Sequence, residues 1–162
     1  TRELQWARAA AAALTHRSLP HLDLLWTSAG EASALERTLS GHTSQVNAVA
    51  VTADGQRAVS ASRDHTLKVW DLASGATLHT PSGHTGAVRA VAVTADGQRA
   101  VSASSDRTLK VWDLASGSEL ASIALDAPIH HVQLAPDDIT IVAGDAAGNV
   151  HCLRYCDQRR PV

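Results

Sequence analysis

Large apolar side chains are scarce in this sequence. Among its 162 residues there is no Phe and no Met, and the only aromatic residues are four Trp and one Tyr. Alanine occurs 30 times and supplies about two-fifths of the hydrophobic residues. A thick core of large side chains is therefore excluded. The composition favours a fold whose layers approach closely on Ala, Val, Ser and Gly.

Other absences exclude whole classes of protein. No apolar run reaches 18 residues, which excludes a transmembrane helix. Two cysteines, Cys152 and Cys156, are too few for a disulfide framework. The charge balance of 14 Lys+Arg against 16 Asp+Glu leaves no basic stripe of the kind that nucleic-acid binders carry. We expect a cytoplasmic protein. Because the sequence begins at Thr1, we also expect a piece or a processed product of a longer chain.

The sequence contains a tandem duplication. Residues 41–75 and 83–117 are related by a shift of 42, and 30 of these 35 positions are identical. A third, more divergent copy follows at a shift of 41, in which Ile129, Val132 and Leu134 correspond to Val88, Val91 and Val93. Such a period is typical of a repeat architecture, in which each copy is one supersecondary unit.

Each unit is predicted to contain four short strands. In the first unit they cover 46–51, 57–62, 67–71 and 76–80, with a tight turn at Asp54-Gly55 between the first two. The second unit repeats this pattern and ends in a strand over 119–123. A lone strand over 35–39 precedes the first unit in the way that 76–80 precedes the second. The third unit has only the first three strands.

These units resemble the WD40-repeat β-propeller family. The signature pairs Gly41-His42 with Trp70-Asp71, and Gly83-His84 with Trp112-Asp113. The resemblance implies an all-β fold, an arc of about three four-stranded antiparallel blades. The near-identical repeats followed by the divergent IVAGDAAGNVHCLR segment also resemble the C-terminal propellers of bacterial signal-transducing NTPases with NACHT or NB-ARC modules. No phosphate-binding GxxxxGK[ST] motif is present.

The resemblance implies a buried hydrogen-bond network in both intact units. Its members are a histidine, a serine, an aspartate and a tryptophan in each: His42, Ser60, Asp64 and Trp70, and His84, Ser102, Asp106 and Trp112. An indole N–H only donates, whereas a hydroxyl or an imidazole can accept and donate onward. The third unit has Leu125, Ala143, Ala147 and Leu153 at these positions. A His–Ser–Asp set also suggests a hydrolase, but its duplication next to a tryptophan favours a structural network, and no catalytic residue is predicted.

A metal site and a cofactor are not expected. His130, His131, His151, Cys152 and Cys156 carry possible ligands, but their spacing fits no standard zinc pattern. His151 and Cys152 are neighbours on a predicted strand and so point to opposite faces.

The two intact units differ at five positions only: 44/86, 45/87, 47/89, 63/105 and 65/107. They lie in the loop before the first strand and in the turn between the second and third strands, which in a propeller open on the same face. We call eight of these residues the variable rim: Ser44, Gln45, Asn47, Arg63, His65, Arg89, Ser105 and Arg107. We predict that it binds a protein or peptide partner with an acidic patch, although drift at tolerant loop positions is an alternative.

Three domains are predicted from these patterns: a helical or linker segment over 1–34, propeller blades over 35–156 and a tail over 157–162. The blades comprise repeats 41–82, 83–124 and a degenerate 125–156. Three blades do not close a ring, so we expect self-association or a longer chain. The leading function is a non-enzymatic interaction scaffold or sensor module. The alternatives are an architectural unit that closes a ring from two or more arcs and, least favoured, a nucleic-acid-binding module.

Overall fold

Residues 37–156 are described by the computed structural model, and they form eleven antiparallel strands. The first four are β1 (Val46–Val51), β2 (Arg57–Ser62), β3 (Leu67–Asp71) and β4 (Thr77–His79). The next four are β5 (Val88–Val93), β6 (Arg99–Ser104), β7 (Thr108–Asp113) and β8 (Glu119–Ala124). The last three are β9 (Ile129–Leu134), β10 (Thr140–Asp145) and β11 (Val150–Arg154). The predicted N-terminal helix lies outside the described residues.

The strands form three separate sheets in chain order. Sheet I contains β1 to β4, sheet II contains β5 to β8, and sheet III contains β9 to β11. Each sheet is a meander in which consecutive strands pair. The all-β prediction is confirmed for the described part of the chain, and sheet III has there the three strands predicted for the third unit. Residues 37–40 form no strand, so the predicted strand over 35–39 is not seen in its described part.

The first strand of each sheet contains one irregularity in its pairing with the second strand. The register shifts between Val46 and Ala48 in β1 and between Val88 and Ala90 in β5. In β9 a corresponding shift leaves His130 without a register partner. An extra residue of this kind bends the strand and redirects its own side chain. The residues concerned are Asn47, Arg89 and His130, and the first two belong to the variable rim.

The core lies between neighbouring sheets. One cluster packs Val59, Ala61, Leu67 and Val69 of sheet I against residues of sheet II that include Val88, Val91 and Trp112. A second cluster packs Val101, Ala103, Leu109 and Val111 of sheet II against Ile129, Val132, Ile141 and Ala143 of sheet III. Only valine, alanine and leucine side chains and one indole form this first cluster, in keeping with a composition poor in large side chains. No helix in the described part is long and apolar enough to cross a membrane.

Candidate functional site

Below the variable rim of sheet I, four side chains form one continuous hydrogen-bonded chain. The Trp70 indole N–H donates to Ser60 Oγ at 2.8 Å, and His42 Nε2 lies 2.7 Å from the same oxygen. His42 Nδ1 lies 2.8 Å from Asp64 Oδ2. A carboxylate only accepts, so Nδ1 carries the ring proton and Nε2 accepts from the serine hydroxyl. The structure thus brings together all four residues that the sequence placed in this network.

Sheet II contains the same arrangement with nearly the same distances. Trp112 Nε1 donates to Ser102 Oγ at 2.8 Å, and His84 contacts Ser102 at 2.7 Å and Asp106 at 2.8 Å. The His84 side chain is fully enclosed, at 0% exposure against 5% for His42. Every buried polar side-chain atom in the described residues has a hydrogen-bond partner. A fully satisfied buried network of this kind specifies how its strands pack.

The aspartates of the network are held in the charged form. Burial acts to raise the pKa of Asp64, but hydrogen bonds from the Thr66 hydroxyl, the Thr43 amide and His42 outweigh it and leave this pKa far below its usual range. The Asp106 pKa is lowered in the same way against the same effect of burial, by Thr108, His84 and Thr85. The His84 pKa is lowered chiefly by burial, although Asp106 acts in the opposite direction. A neutral imidazole is therefore favoured at His84.

The Asp–His–Ser distances are also those of a hydrolase triad, so the surroundings of the serine decide its chemistry. Ser102 is fully buried, and its oxygen already accepts the hydrogen of the Trp112 indole. Ser60 is in the same position with respect to Trp70. A nucleophile needs a free lone pair that a substrate can approach. This geometry instead ties the second strand, the third strand and the loop before the first strand into one unit.

The two loops that differ between the repeats lie side by side. In sheet I the Arg63 amide donates to the Gln45 carbonyl at 2.8 Å, and the Ser62 hydroxyl donates to the same carbonyl at 3.0 Å. In sheet II the Ser105 amide donates to the Ala87 carbonyl at 2.9 Å. All five positions of difference therefore lie at one end of the two sheets. The turns at the other end are identical in sequence.

Most of the variable rim is exposed to solvent. Ser44, Gln45, Arg63, His65, Arg89 and Arg107 are exposed, while Asn47 and Ser105 are partly buried. Asn47 Nδ2 donates to the Val88 carbonyl at 2.7 Å and so links sheet I to sheet II. Ser105 Oγ accepts from Arg89 Nε at 2.8 Å. No sequence pattern indicates the Asn47 link, which depends on how the sheets pack.

Two residues of the variable rim adopt an unusual backbone conformation. His65 and Arg107 have φ angles of 71° and 69°, in the left-handed region that glycine occupies most easily. Each directly follows the aspartate of its network. A side chain at such a position is strained by about 1 kcal/mol or more. Strain of this kind concentrates at functional sites, and it falls here on two exposed residues that differ between the repeats.

In sheet III, other residues stabilise the turn between the second and third strands. Asp145 Oδ1 accepts from the amides of Ala147 and Asn149, and Oδ2 lies 2.9 Å from His151 Nε2. The hydrogen bonds from His151 and Asn149 lower the Asp145 pKa far below its usual range. The pairing of Asp145 with His151 was not predicted from the sequence. The available signal was the spacing of Asp145 and Asn149, which is typical of a turn closed by an aspartate.

The possible metal ligands do not come together. In residues 37–156 no three His, Cys, Asp or Glu side chains are grouped closely enough to hold a metal ion. Cys152 and Cys156 are exposed free thiols. His151 is engaged with Asp145, and His130 and His131 are exposed on β9.

The repeating sheets with a Trp–Ser–His–Asp network are those of WD40 repeats, and the family comparisons agree. Residues 33–71 match the family model described as WD domain, G-beta repeat, and residues 84–155 match the model of the TEP-1 C-terminal β-propeller. The chain therefore contains WD40 repeats, as the sequence resemblance predicted.

Curated relatives match one repeat at a time. The chain is similar to the vegetative incompatibility protein HET-E-1 of Podospora anserina, with 56% identity over 45 residues, 28% of this chain and 3% of that protein. It is also similar to the NACHT domain- and WD repeat-containing protein 1 of Mus musculus, with 49% identity over 45 residues, 28% of this chain and 3% of the relative. A third relative is the small ribosomal subunit protein RACK1 of Medicago sativa, with 44% identity over 46 residues, 28% of this chain and 14% of the relative.

The predicted resemblance to NACHT-associated WD propellers is confirmed by the mouse relative, whose name combines both domains. A bacterial source remains a prediction. The chain matches at most 14% of the length of these three relatives, so their activities as whole proteins do not transfer to it.

Proposed function

We propose that this chain is an arc of a WD40 propeller that acts as a protein-interaction module, and that its variable rim binds an acidic segment of a partner protein. The observation that carries the proposal is the position of the differences between the two repeats. Two copies that agree at 30 of 35 positions differ only at one end of their sheets, in two loops that are hydrogen-bonded to each other.

The differences also compensate each other. In sheet II the bulged position holds Arg89 and its hydrogen-bond partner is Ser105. In sheet I the equivalent bulge holds the small Asn47, and Arg63 stands at the position equivalent to Ser105. Each sheet therefore keeps one guanidinium and one small polar residue in the same pair of positions. Independent drift gives no reason for this exchange, whereas a requirement for one guanidinium at this pair of positions does.

The charges at this end favour an anionic partner. Arg63, Arg89 and Arg107 are exposed, and the two aspartates in the same turns are turned inward to their histidines. Arginine is well suited to carboxylates because its fork of donors matches both oxygens. At this end of the sheets, the exposed arginines belong to sheets I and II. In sheet III the loop before β9 carries Asp126 instead.

A titration with defined peptides tests the proposal. The probe is a fluorescein-labelled ten-residue peptide rich in glutamate, and its control is the same peptide with glutamine at every glutamate. We expect the acidic peptide to bind the full chain more tightly than its control, and the Arg89→Glu/Arg107→Glu variant to lose about tenfold or more in affinity. The control is Arg154→Glu, an exposed arginine at the opposite end of sheet III, and it is compared with the single rim variant Arg89→Glu, which changes the net charge by the same amount.

Two results would contradict the proposal. One is equal binding of the acidic and neutral peptides. The other is equal loss in the rim variant and in Arg154→Glu, which would indicate a general effect of net charge. A labelled single-stranded DNA that binds more tightly than the peptide, with a steep dependence on salt, would instead support the nucleic-acid alternative.

A further inference from the structure

Each sheet has two chemically different faces. The first, which we call the tryptophan face, carries Trp70 in sheet I and Trp112 in sheet II. The second, which we call the opposite face, carries Val59, Ala61, Leu67 and Val69 in sheet I and Val101, Ala103, Leu109 and Val111 in sheet II. Between sheets I and II, the opposite face of sheet I packs against the tryptophan face of sheet II. Between sheets II and III, the opposite face of sheet II packs against the face of sheet III that carries Leu153, the residue at the position of Trp112. The two interfaces therefore follow one rule.

Within residues 37–156, the tryptophan face of sheet I has no such neighbour. Val46, Val49 and Val51 of β1 are 45%, 60% and 55% exposed. The equivalent Val88 and Val91 of β5 are 0% and 8% exposed, because sheet I covers them. A depression of about 330 Å³ opens on this face, lined by residues that include Leu39, Val49 and Trp70. Contiguous exposed apolar residues of this kind mark an interaction surface.

The opposite face of sheet III is exposed as well. By its register it carries Val142, Gly144, Val150 and Cys152, at the positions of Val101, Ala103, Leu109 and Val111 in sheet II. Val150 is 73% exposed and Cys152 is an exposed thiol. All four are small and apolar, like the residues that cover the tryptophan face elsewhere in the chain. Strand β9 departs from this pattern, because it has His131 and Gln133 at the positions of Ala90 and Ala92 in β5.

We infer that a second copy of this chain covers the open face: the opposite face of sheet III in one copy packs on the tryptophan face of sheet I in the other, and the same contact forms in reverse. Both halves of the contact are on the described chain, and each repeats one side of an interface that the chain already contains. Two such contacts related by a two-fold axis would close the assembly without leaving an open end. This inference does not depend on the proposed function.

Light scattering coupled to size exclusion, performed on the full chain over a range of concentrations, tests the assembly. We expect a mass of twice the 17.0 kDa of one chain. Val49→Glu and Val150→Glu should each give a monomer, because each variant damages both contacts of the pair. The matched control is Ile139→Glu, an exposed apolar residue in the turn before β10, outside both faces, which should remain dimeric. Circular dichroism establishes that all three variants are folded.

Mixing the two variants separates the proposed contact from other modes of pairing. A pair of one Val49→Glu chain and one Val150→Glu chain retains one contact made only of native residues, so mixing should restore a dimer. A monomeric native chain at all concentrations overturns the inference, and so does an assembly larger than two. A Val150→Glu variant that remains dimeric also overturns it, because two tryptophan faces would then meet. Arg89→Glu/Arg107→Glu should keep the native mass, which distinguishes this inference from the peptide-binding proposal.

Discussion

Sheets I and II are built from nearly the same sequence, yet they differ in what surrounds them. Their hydrogen-bond networks agree to within about 0.1 Å in the distances between the His, Ser, Asp and Trp side chains. Val49 is nevertheless 60% exposed, while its counterpart Val91 is 8% exposed. Local structure is thus copied with the sequence, whereas burial is determined by the neighbouring sheet. Equivalent substitutions in the two sheets should therefore have unequal effects.

The largest difference is expected at the tryptophans. Trp112 belongs to the cluster between sheets I and II, whereas Trp70 lines the open depression. We expect Trp112→Ala to lower the free energy of unfolding by about 3–5 kcal/mol, because an indole is lost from a closed interface. Trp70→Ala should cost less, because Trp70, although only 3% exposed, belongs to neither of the two clusters between sheets. Urea denaturation measures both values, and equal losses would show that the neighbouring sheet contributes little.

The networks should respond more equally. Asp64→Ala and Asp106→Ala each leave a buried imidazole N–H without its acceptor, which costs about 1–3 kcal/mol. The loss should be somewhat larger for Asp106, because His84 is the more enclosed of the two histidines. Thermal denaturation measures both, with the exposed Ser44→Ala as the surface control. A shift in Tm no larger than that of the control would contradict the structural role of the network.

Acid should destabilise the fold in two stages. The lowered pKa of His84 means that the unfolded chain takes up this proton first, so stability falls as the pH drops below about 6.5. Asp64 and Asp106 have lowered pKa values, so their contribution is present above about pH 4 and is lost as the pH falls further. Urea denaturation of the native chain and of His84→Asn between pH 7 and pH 5 tests the first stage. An identical pH dependence in both proteins would contradict it.

The smallest effect is expected where the copies differ from each other. His65→Gly and Arg107→Gly relieve a left-handed backbone and should raise the free energy of unfolding by up to about 1 kcal/mol. Arg63→Gly, at an exposed neighbouring position with ordinary backbone angles, is the control and should lower stability slightly. Under the proposed function the Arg107→Gly variant should also bind the acidic peptide less tightly. A loss of stability in both left-handed variants would show that their side chains make contacts that outweigh the strain.

Much of the fold was predictable because it is local. The strands 46–51, 57–62 and 67–71 were predicted with the bounds that the structure has, since alternation and turn residues define them. The fourth strand of sheet I is shorter than predicted, Thr77–His79 instead of 76–80, whereas that of sheet II is one residue longer, Glu119–Ala124 instead of 119–123. The same register shift occurs in both pairings, so it does not account for the difference.

The rest of the site depends on tertiary structure. The link from Asn47 to the Val88 carbonyl exists only because sheet II lies beside sheet I. The left-handed conformations of His65 and Arg107 could not be predicted from residues that rarely adopt them. The open tryptophan face of sheet I has the same residues on its first strand as the buried tryptophan face of sheet II, so no pattern within the repeat distinguishes the two faces.

Thiol labelling tests most directly whether two nearly identical strands lie in different environments. Val49→Cys and Val91→Cys are each introduced into a chain in which Cys152 and Cys156 are replaced by serine, and the rate of reaction with a maleimide reagent is measured under native conditions at low protein concentration. The structure predicts rapid labelling at position 49 and protection at position 91 until the chain unfolds. If the two positions label at the same rate, the neighbouring sheet does not determine burial as described.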